Sequence, residues 1–414
     1  MNNKPTRLAI FNDGQLPLPP VKGGSVPTLI DMILRENDIH HDFDIDVFSC
    51  YDKEAKKEVV GYKYSNFIYS RIFRFIRFFT NLAFKTKIRL INLKAINLPT
   101  SFKRKLKKTY YDVVLVSGYV RGAIPILTAL NNNPLKIVAH HTVTDILHEP
   151  SLDGKKIYEL ADIITFDSEY ATKFASKADK KINDKNYTHV DSIPNIEAYN
   201  NNIEQNRHEI REKYGLKEDD FVILFVGRMV EYKGIYELIE AFNLVSKQNT
   251  HLKLLLCGSI TYSKKIQKNK LGRLLSSIEK NPNIIITGYV DYKDIHKIYQ
   301  SVDISTMLTK IDECFGMVGI ESFAAGKPLI STRTGGVVEY ADDSNSIFVR
   351  KDENMVNDIA KAIEKCFKSP RMVEELGKNA KNIAQKYNQR NYYLRLKKII
   401  ERGTAKKNEN IVDR

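Results

Sequence analysis

A rhythm that occurs twice constrains this chain more than any single residue does. Short apolar runs bounded by Gly, Pro, Asn or Asp lie at 8–11, 45–49, 113–117, 137–140, 163–166 and 190–193, and again at 221–226, 252–256, 284–287, 304–306, 329–331 and 347–349. Helical patterns separate most of them, and strands that alternate with helices predict parallel sheets wound on both faces. Two such series in 414 residues fit two domains of about 200 residues each. The expected architecture is α/β, with doubly wound, Rossmann-like domains over 1–200 and 208–385. The polar stretch 197–207, with Asn200, Asn201, Asn202, Gln205 and Asn206, is the expected linker. A helix is expected over 386–402 and a disordered tail over 403–414. Sheets of this kind take ligands beyond the carboxyl ends of their strands, so two that face each other would line a cleft.

The chemistry gathers in the second half. Glu313 and Glu321 stand eight residues apart in Glu313-Cys-Phe-Gly-Met-Val-Gly-Ile-Glu321. A helix opening near Phe315 and Gly316 aims unpaired N–H groups and the positive end of its dipole at an anion, with Glu321 about a turn inside. Amides suit a phosphate and carboxylates suit hydroxyls, and a sugar nucleotide carries both. Upstream, the run 221–226 ends in Gly227-Arg228-Met-Val-Glu-Tyr-Lys233-Gly234, followed by the amphipathic pattern Ile235, Leu238, Ile239, Ala241, Phe242. This predicts strand, loop and helix. Arg228 and Lys233 at that turn can converge on a diphosphate, where each charge-assisted bond contributes roughly 1.5–3 kcal/mol if water is excluded. Two glutamates on a solvated helix would show the same spacing, so the weight lies in the combination.

As an ordered set, GRMVEYKG and ECFGMVGIESFAAGKPLISTRTGGVVEY resemble the carboxyl-terminal half of retaining nucleotide-sugar glycosyltransferases of the GT-B fold, glycosyltransferase family 4 (glycosyl transferases group 1), over about 221–349. The amino-terminal half is similar more loosely. Its likeness lies in Pro19-Pro20-Val-Lys-Gly23-Gly24-Ser25, Tyr111-Asp112-Val-Val-Leu-Val, His140-His141, Ala161-Asp162-Ile-Ile-Thr-Phe-Asp-Ser168 and Ile193-Pro194-Asn195. The chain departs from the family at Pro194-Asn195-Ile196-Glu197, where a glycine and an aspartate usually follow the asparagine.

The resemblance implies roles residue by residue. Arg228 and Lys233 hold the donor diphosphate and stabilise the leaving nucleotide. Glu313 contacts hydroxyls of the transferred sugar, Glu321 the ribose hydroxyls, and the amides of Gly316, Met317 and Val318 the phosphate or sugar. Gly23 and Gly24 let backbone approach the phosphate or acceptor, although a plain flexible loop would read the same. Gly227 and Gly288 fall on nucleotide-sugar loops, with the loops near Gly258 and after Gly288 expected to choose the base. A histidine stands near the reacting sugar in related enzymes, and His140 and His141 are both candidates. The resemblance also implies retention without a protein nucleophile, no metal or other cofactor because Arg228 and Lys233 take a metal's place, and a helix after 385 that crosses back to the acceptor-side first domain. Asp44-Ile45-Asp46 alternates on a predicted strand and does not predict a metal site.

The formal net charge of +15 is concentrated: the stretch 61–110 holds thirteen Lys or Arg and no acid. Within it Arg71, Arg74, Arg77 and Lys85 share one side of a helical wheel, with Ile72, Phe75, Ile76, Phe79 and Leu82 on another. A second basic cluster follows at Lys103, Arg104, Lys105, Lys107 and Lys108. The pattern suits a helix lying on an anionic membrane, at about 1 kcal/mol per cation near the surface. Aromatics packed into the core beneath solvated cations would give it too. Nucleic acid is not expected as a partner, since no nucleic-acid module accompanies the charge.

Four scattered cysteines predict neither a disulfide framework nor a zinc site, and no apolar run approaches the roughly 20 residues of a membrane span. The expectation is a cytoplasmic enzyme, peripheral on the inner face of the plasma membrane. It would move a hexose from a nucleotide sugar to a glycan or lipid-linked acceptor in cell-surface polysaccharide biosynthesis. Two other functions fit the same sequence. A nucleotide-sugar epimerase would convert the donor without an acceptor, and a catalytically silent scaffold would keep the fold for partner binding.

Overall fold

In the computed structural model the described residues are 4–12, 16–71, 98–118, 120–130, 132–141, 157, 159–178, 186–189, 195–258, 278 and 281–412. The chain divides into two compact units, one of Met1–Ser192 with Gln389–Arg414 and one of Ile193–Asn388.

The first unit is built on a parallel sheet of seven strands: β1 (Thr6–Phe11), β2 (Phe43–Cys50), β3 (Ser65–Ser70), β4 (Val113–Ser117), β5 (Leu135–His140), β6 (Ile163–Phe166) and β7 (Asn186–His189). Their spatial order is β3-β2-β1-β4-β5-β6-β7. The second unit has six parallel strands: β8 (Phe221–Val226), β9 (Leu252–Cys257), β10 (Ile284–Gly288), β11 (Ile304–Met307), β12 (Leu329–Thr332) and β13 (Ser346–Val349), in the order β10-β9-β8-β11-β12-β13. Both orders reverse direction beside their first strand, as a doubly wound fold requires.

The unbroken apolar runs have a direct cause in the second sheet. Side chains of a strand alternate between faces, and here both faces are covered. Ile223, Phe225, Leu254 and Leu256 pack with Leu238, Phe242, Ile359 and Ile363 on one side. Val222, Leu224 and Leu255 pack with Ile298, Tyr299, Ile320 and Phe323 on the other. With helices on both faces there is no solvated side to call for alternating polar residues. Each such buried side chain contributes about 1.5–3 kcal/mol relative to an exposed one.

Two expectations need correction, one strand goes unpredicted, and one expected run lies outside the described residues. The edge strand β3, SNFIYS, goes unpredicted because its side chains are only half-buried and its composition is correspondingly mixed. The run 190–193 falls outside the described residues, and β7 is the preceding polar segment NYTH. The stretch 197–207 is not an extended linker. It folds into helices Ile196–Asn200 and Ile203–Lys213, and the buried Asn206 donates from Nδ2 to Gln300 Oε1 at 2.8 Å. A polar composition can mean a satisfied buried network as well as solvent.

The last correction is the tail. Beyond residue 403 a single helix continues, Gln389–Val412. Tyr393 and Lys397 bond the Asp42 carboxylate at 2.9 and 2.7 Å. Lys407 donates to Asp162 Oδ2 at 2.6 Å and to the Pro134 carbonyl at 2.8 Å. Gly403 packs so closely that a Cβ there would stand 2.7 Å from Ile163. These anchors lie more than 200 residues away in sequence, where a local reading does not see them.

Part of the basic stretch is structural. In the helix Thr100–Lys108, Phe102 and Leu106 are wholly buried, and Lys105 Nζ sits 3.1 Å from Asp46 Oδ2. Arg104, Lys107 and Lys108 are exposed. The wheel of Arg74, Arg77 and Lys85 with Ile72, Phe75, Ile76, Phe79 and Leu82 lies outside the described residues. Asp46 also accepts from Tyr111 at 2.6 Å and Asn66 at 2.7 Å, which accounts for it as a structural acid. Among the described residues no helix is long and apolar enough to cross a membrane.

Candidate functional site

The second sheet reverses between β8 and β11, and the loops that leave the carboxyl ends of these two strands carry most of the expected site. Where neighbouring strands are followed in opposite directions, their exit loops diverge and leave a crevice. Beside it, Gly227, Gly258 and Gly288 form a rim at the ends of β8, β9 and β10. The Gly227 amide donates to Cys257 O and the Gly258 amide to Gly288 O, each at 2.9 Å. A Cβ on Gly258 would stand 1.9 Å from the Gly227 carbonyl oxygen, so no larger residue fits without moving that loop.

Lys233 and Glu313 meet across the crevice, Nζ against Oε1, although they are 80 residues apart. Each is fixed from its own side. Lys233 ends the turn Glu231–Lys233, and that loop is tied to the next by a bond from the Lys310 amide to Tyr232 O at 2.8 Å. The Gly336 amide donates to Glu313 O at 2.9 Å, and a Cβ on Gly335 would lie 2.0 Å from the same oxygen. Both charged side chains are largely but not fully buried, at 27% and 19% exposure, so a ligand can still compete for them.

Arg228 is exposed and donates from Nη2 to the Tyr232 hydroxyl. The Arg228 guanidinium carbon lies 5.8 Å and Lys233 Nζ 5.7 Å from the Tyr232 ring centroid, so one ring holds both cations at a shared distance. The sequence pointed to the two cations but not to the tyrosine between them.

The helix Met317–Ala324 opens at Gly316, whose φ of 86° lies in the left-handed region, and no side chain caps its first turn. The Met317 and Val318 amides therefore have no intrahelical acceptor. Tyr340 supports this turn: its hydroxyl donates to Gly316 O at 2.9 Å, and its ring is 5.1 Å from that of Phe315. Glu321 follows one turn inside and is 5% exposed. Tyr299 donates to its Oε2 at 3.0 Å. The Tyr292 hydroxyl faces the same carboxyl without meeting hydrogen-bond geometry. Burial pushes the Glu321 carboxyl up to about 7, against the opposing pull of the Tyr299 hydrogen bond.

The expected residues of the first unit separate into two kinds. Gly23 (φ 65°) and Gly24 (φ 102°) immediately precede the helix Ser25–His40, and a Cβ on Gly24 would stand 2.4 Å from Leu16. His140 and His141 end β5 with opposite fates. His140 is 2% exposed, its ring 5.5 Å from that of Phe166, and burial holds its pKa down to about 3. His141 belongs to a polar array: Nε2 lies 2.8 Å from Ser117 Oγ and Nδ1 2.7 Å from Asp167 Oδ1. His141 is thus the histidine with chemistry available, and His140 belongs to the core.

Thus Gly227, Arg228, Lys233, Gly288, Glu313, Gly316, Met317, Val318 and Glu321 share the carboxyl edge of one sheet, while Gly23, Gly24, His140 and His141 belong to the other unit. Tyr232, Tyr299 and Tyr340 are the members that sequence reasoning missed; Tyr232 lay inside the GRMVEYKG run and Tyr340 at the end of the TGGVVEY run, and Tyr299 lay in no motif. One further group of the described residues, Asp219, Asp220 and His251, has donor atoms close enough to share a cation. It lies at the amino ends of β8 and β9, the wrong edge for this site.

Residues 206–383 match the family model for glycosyl transferases group 1. The chain is 23% identical over 386 residues to spore coat protein SA of Bacillus subtilis, covering 92% of this chain and 94% of that protein. It is 27% identical over 183 residues to the lipopolysaccharide 1,2-N-acetylglucosaminetransferase of Salmonella typhimurium, covering 42% of this chain and 47% of that one. Anabaena Alr3699/HepE, solved in complex with UDP-glucose, superposes with a TM-score of 0.70 at 14% identity, over 95% of this chain and 99% of that one. The fold is GT-B, and through the group 1 domain of its second unit the chain is a glycosyltransferase.

Proposed function

We propose that this glycosyltransferase takes a nucleotide-diphosphate sugar on its second unit, transfers the hexose with retention of configuration, and delivers it to a glycan or lipid-linked acceptor of the cell surface. The observation that carries the reading is the contact of Lys233 with Glu313 at the strand reversal, beside the uncapped turn of Met317 and Val318. A diphosphate exchanges for Glu313 at Lys233 and gains Arg228 and the helix amides, which stabilise the negative charge that builds on the nucleotide as the glycosidic bond breaks. Glu313, released from the lysine, accepts from sugar hydroxyls, and Glu321 accepts from the ribose. With two cations on the diphosphate no metal is required. His141 supplies an imidazole to a substrate hydroxyl. The Salmonella relative's lipopolysaccharide product and the UDP-glucose of the Anabaena structure support the donor and acceptor classes.

The test is nucleotide release from UDP-, GDP-, ADP- and dTDP-glucose. In Lys233→Ala and Glu313→Gln turnover is expected to fall by about 10²–10³, the usual loss for one preorganised charge partner. Full activity in both variants removes the site assignment. Release without an acceptor product but with an altered sugar would identify an epimerase instead.

We also propose that the exposed Arg104, Lys107 and Lys108, on a helix whose apolar face is already buried, place the enzyme on an anionic membrane surface at the inner face. Changing all three to Glu is expected to abolish co-sedimentation with vesicles containing phosphatidylglycerol at low salt. Unchanged sedimentation would exclude this helix as the contact.

A further inference from the structure

Ser117, His141 and Asp167 stand at the carboxyl ends of three adjacent strands of the first sheet: Ser117 closes β4, His141 follows β5 and Asp167 follows β6. Their side chains form one hydrogen-bonded line, Ser117 Oγ to His141 Nε2 at 2.8 Å and His141 Nδ1 to Asp167 Oδ1 at 2.7 Å. All three are nearly buried: Ser117 is 3% and Asp167 9% exposed, and the His141 side chain is 10% exposed. An ionised carboxylate can only accept, so the hydrogen of the neutral imidazole sits on Nδ1. Nε2 is left as the acceptor, and the Ser117 hydroxyl donates to it.

We propose that Asp167 is a positioning residue for the transfer reaction, fixing both the ring plane of His141 and the tautomer in which Nε2 receives a hydroxyl hydrogen. This rests on the reading of His141 as the histidine that meets a substrate hydroxyl. Ser117 shows the geometry of such a contact, a hydroxyl in line with Nε2 at normal hydrogen-bond length. Three ordered groups at the ligand-binding edge of a parallel sheet are an economical way to hold an imidazole, because strand ends are among the most rigid positions of the fold. Tyr392 adds a fourth side: its hydroxyl is buried, and burial together with the Asp167 charge raises its pKa, so it remains a neutral phenol beside the carboxylate. Neither Asp167 nor Tyr392 is a residue the sequence motifs assign to the reaction.

The experiment has two independent readouts on the full-length chain. First, the protein is labelled with ¹⁵N-histidine and the His141 signals are assigned by their loss in His141→Gln. The expected result is a neutral ring protonated on Nδ1. A ring protonated on Nε2 overturns the proposal, whatever the enzyme does. Second, nucleotide release is followed in Asp167→Asn and Asp167→Glu, with thermal melting to confirm folding. Asp167→Asn presents either an oxygen or an NH₂ to Nδ1; turnover is expected to fall on the order of 10- to 100-fold with donor KM within about twofold. Asp167→Glu, which keeps an acceptor-only group, is expected to recover part of that loss. Wild-type turnover in Asp167→Asn, or a folded Asp167→Glu as impaired as Asp167→Asn, refutes the positioning role. If the wild-type chain releases nucleotide from none of the four sugar nucleotides, the transferase reading fails, and the tautomer measurement still decides what Asp167 does to His141.

Discussion

Glu321 sits at the base of the candidate donor site in a nearly water-free cage, and its removal should stabilise the protein in a pH-dependent way. The folded-state pKa is about 7 against an ordinary value of 4.5, with burial as the main cause. The folded chain therefore holds this proton more tightly than the unfolded chain does. The stabilising contribution is complete below about 4.5, shrinks as the pH rises, and is gone above about 7. At about 1.4 kcal/mol per unit, the charged carboxylate costs the fold about 3 kcal/mol at pH 8. Glu321→Gln imitates the protonated acid. Its oxygen can keep the bond from Tyr299, and its NH₂ can turn to the Tyr292 hydroxyl, which is buried and without a hydrogen-bond partner among the described residues. Urea unfolding of the full chain should find Glu321→Gln close to wild type at pH 5 and up to about 3 kcal/mol more stable at pH 8, while the variant loses donor affinity. An equal change at both pH values, or a less stable variant at pH 8, would refute the reasoning. A carboxylate kept at a stability cost is what a binding site requires of an acid reserved for a ligand.

His140 offers the opposite sign. Its folded pKa of about 3 lies below the ordinary 6.5, so its contribution is complete above 6.5 and is lost as the pH falls, at about 1.4 kcal/mol per unit. His140→Phe, which keeps the stack on Phe166, should flatten thermal stability between pH 6.5 and 5; an unchanged slope would contradict the assignment of His140 to the core. Gly335→Ala places a methyl 2.0 Å from Glu313 O. It should lower turnover about 100-fold by shifting the carboxylate, and normal kinetics in a folded variant would show that the loop yields. Deleting 404–414 removes the bonds from Lys407 to Asp162 and Pro134. It should lower the melting temperature of the first unit by several degrees, and an unchanged melting curve would count against those anchors.

The central strands were legible because packing on both faces leaves mostly apolar residues to read, as in 221–226, and the predicted limits of 221–226 and 163–166 coincide with β8 and β6. The edges were not. β3 and β7 are half-exposed or polar, and a segment such as NYTH becomes a strand only because a neighbour offers a ladder. At the candidate site, residue types with few uses were readable: cations at a turn and acids around a glycine. Tyr232, Tyr299 and Tyr340 act through rings and single hydroxyls, and tyrosine is too common in cores for its chemistry to stand out in one sequence. The pair His140-His141 shows the remaining limit. Alternation says that adjacent residues face opposite ways, but only the positions of Phe166 and Asp167 decide which way each one faces.

The return of the final helix to the first unit has a consequence for how the molecule comes into being. Residues 193–388 leave the ribosome as a complete compact body while the earlier body still lacks its closing segment. Tyr393, Lys397 and Lys407 have yet to be translated when Asp42 and Asp162 are already in place. The domain begun first is finished last, and until then its unmatched acids and the groove awaiting Leu396 and Ile400 stay open to wrong partners.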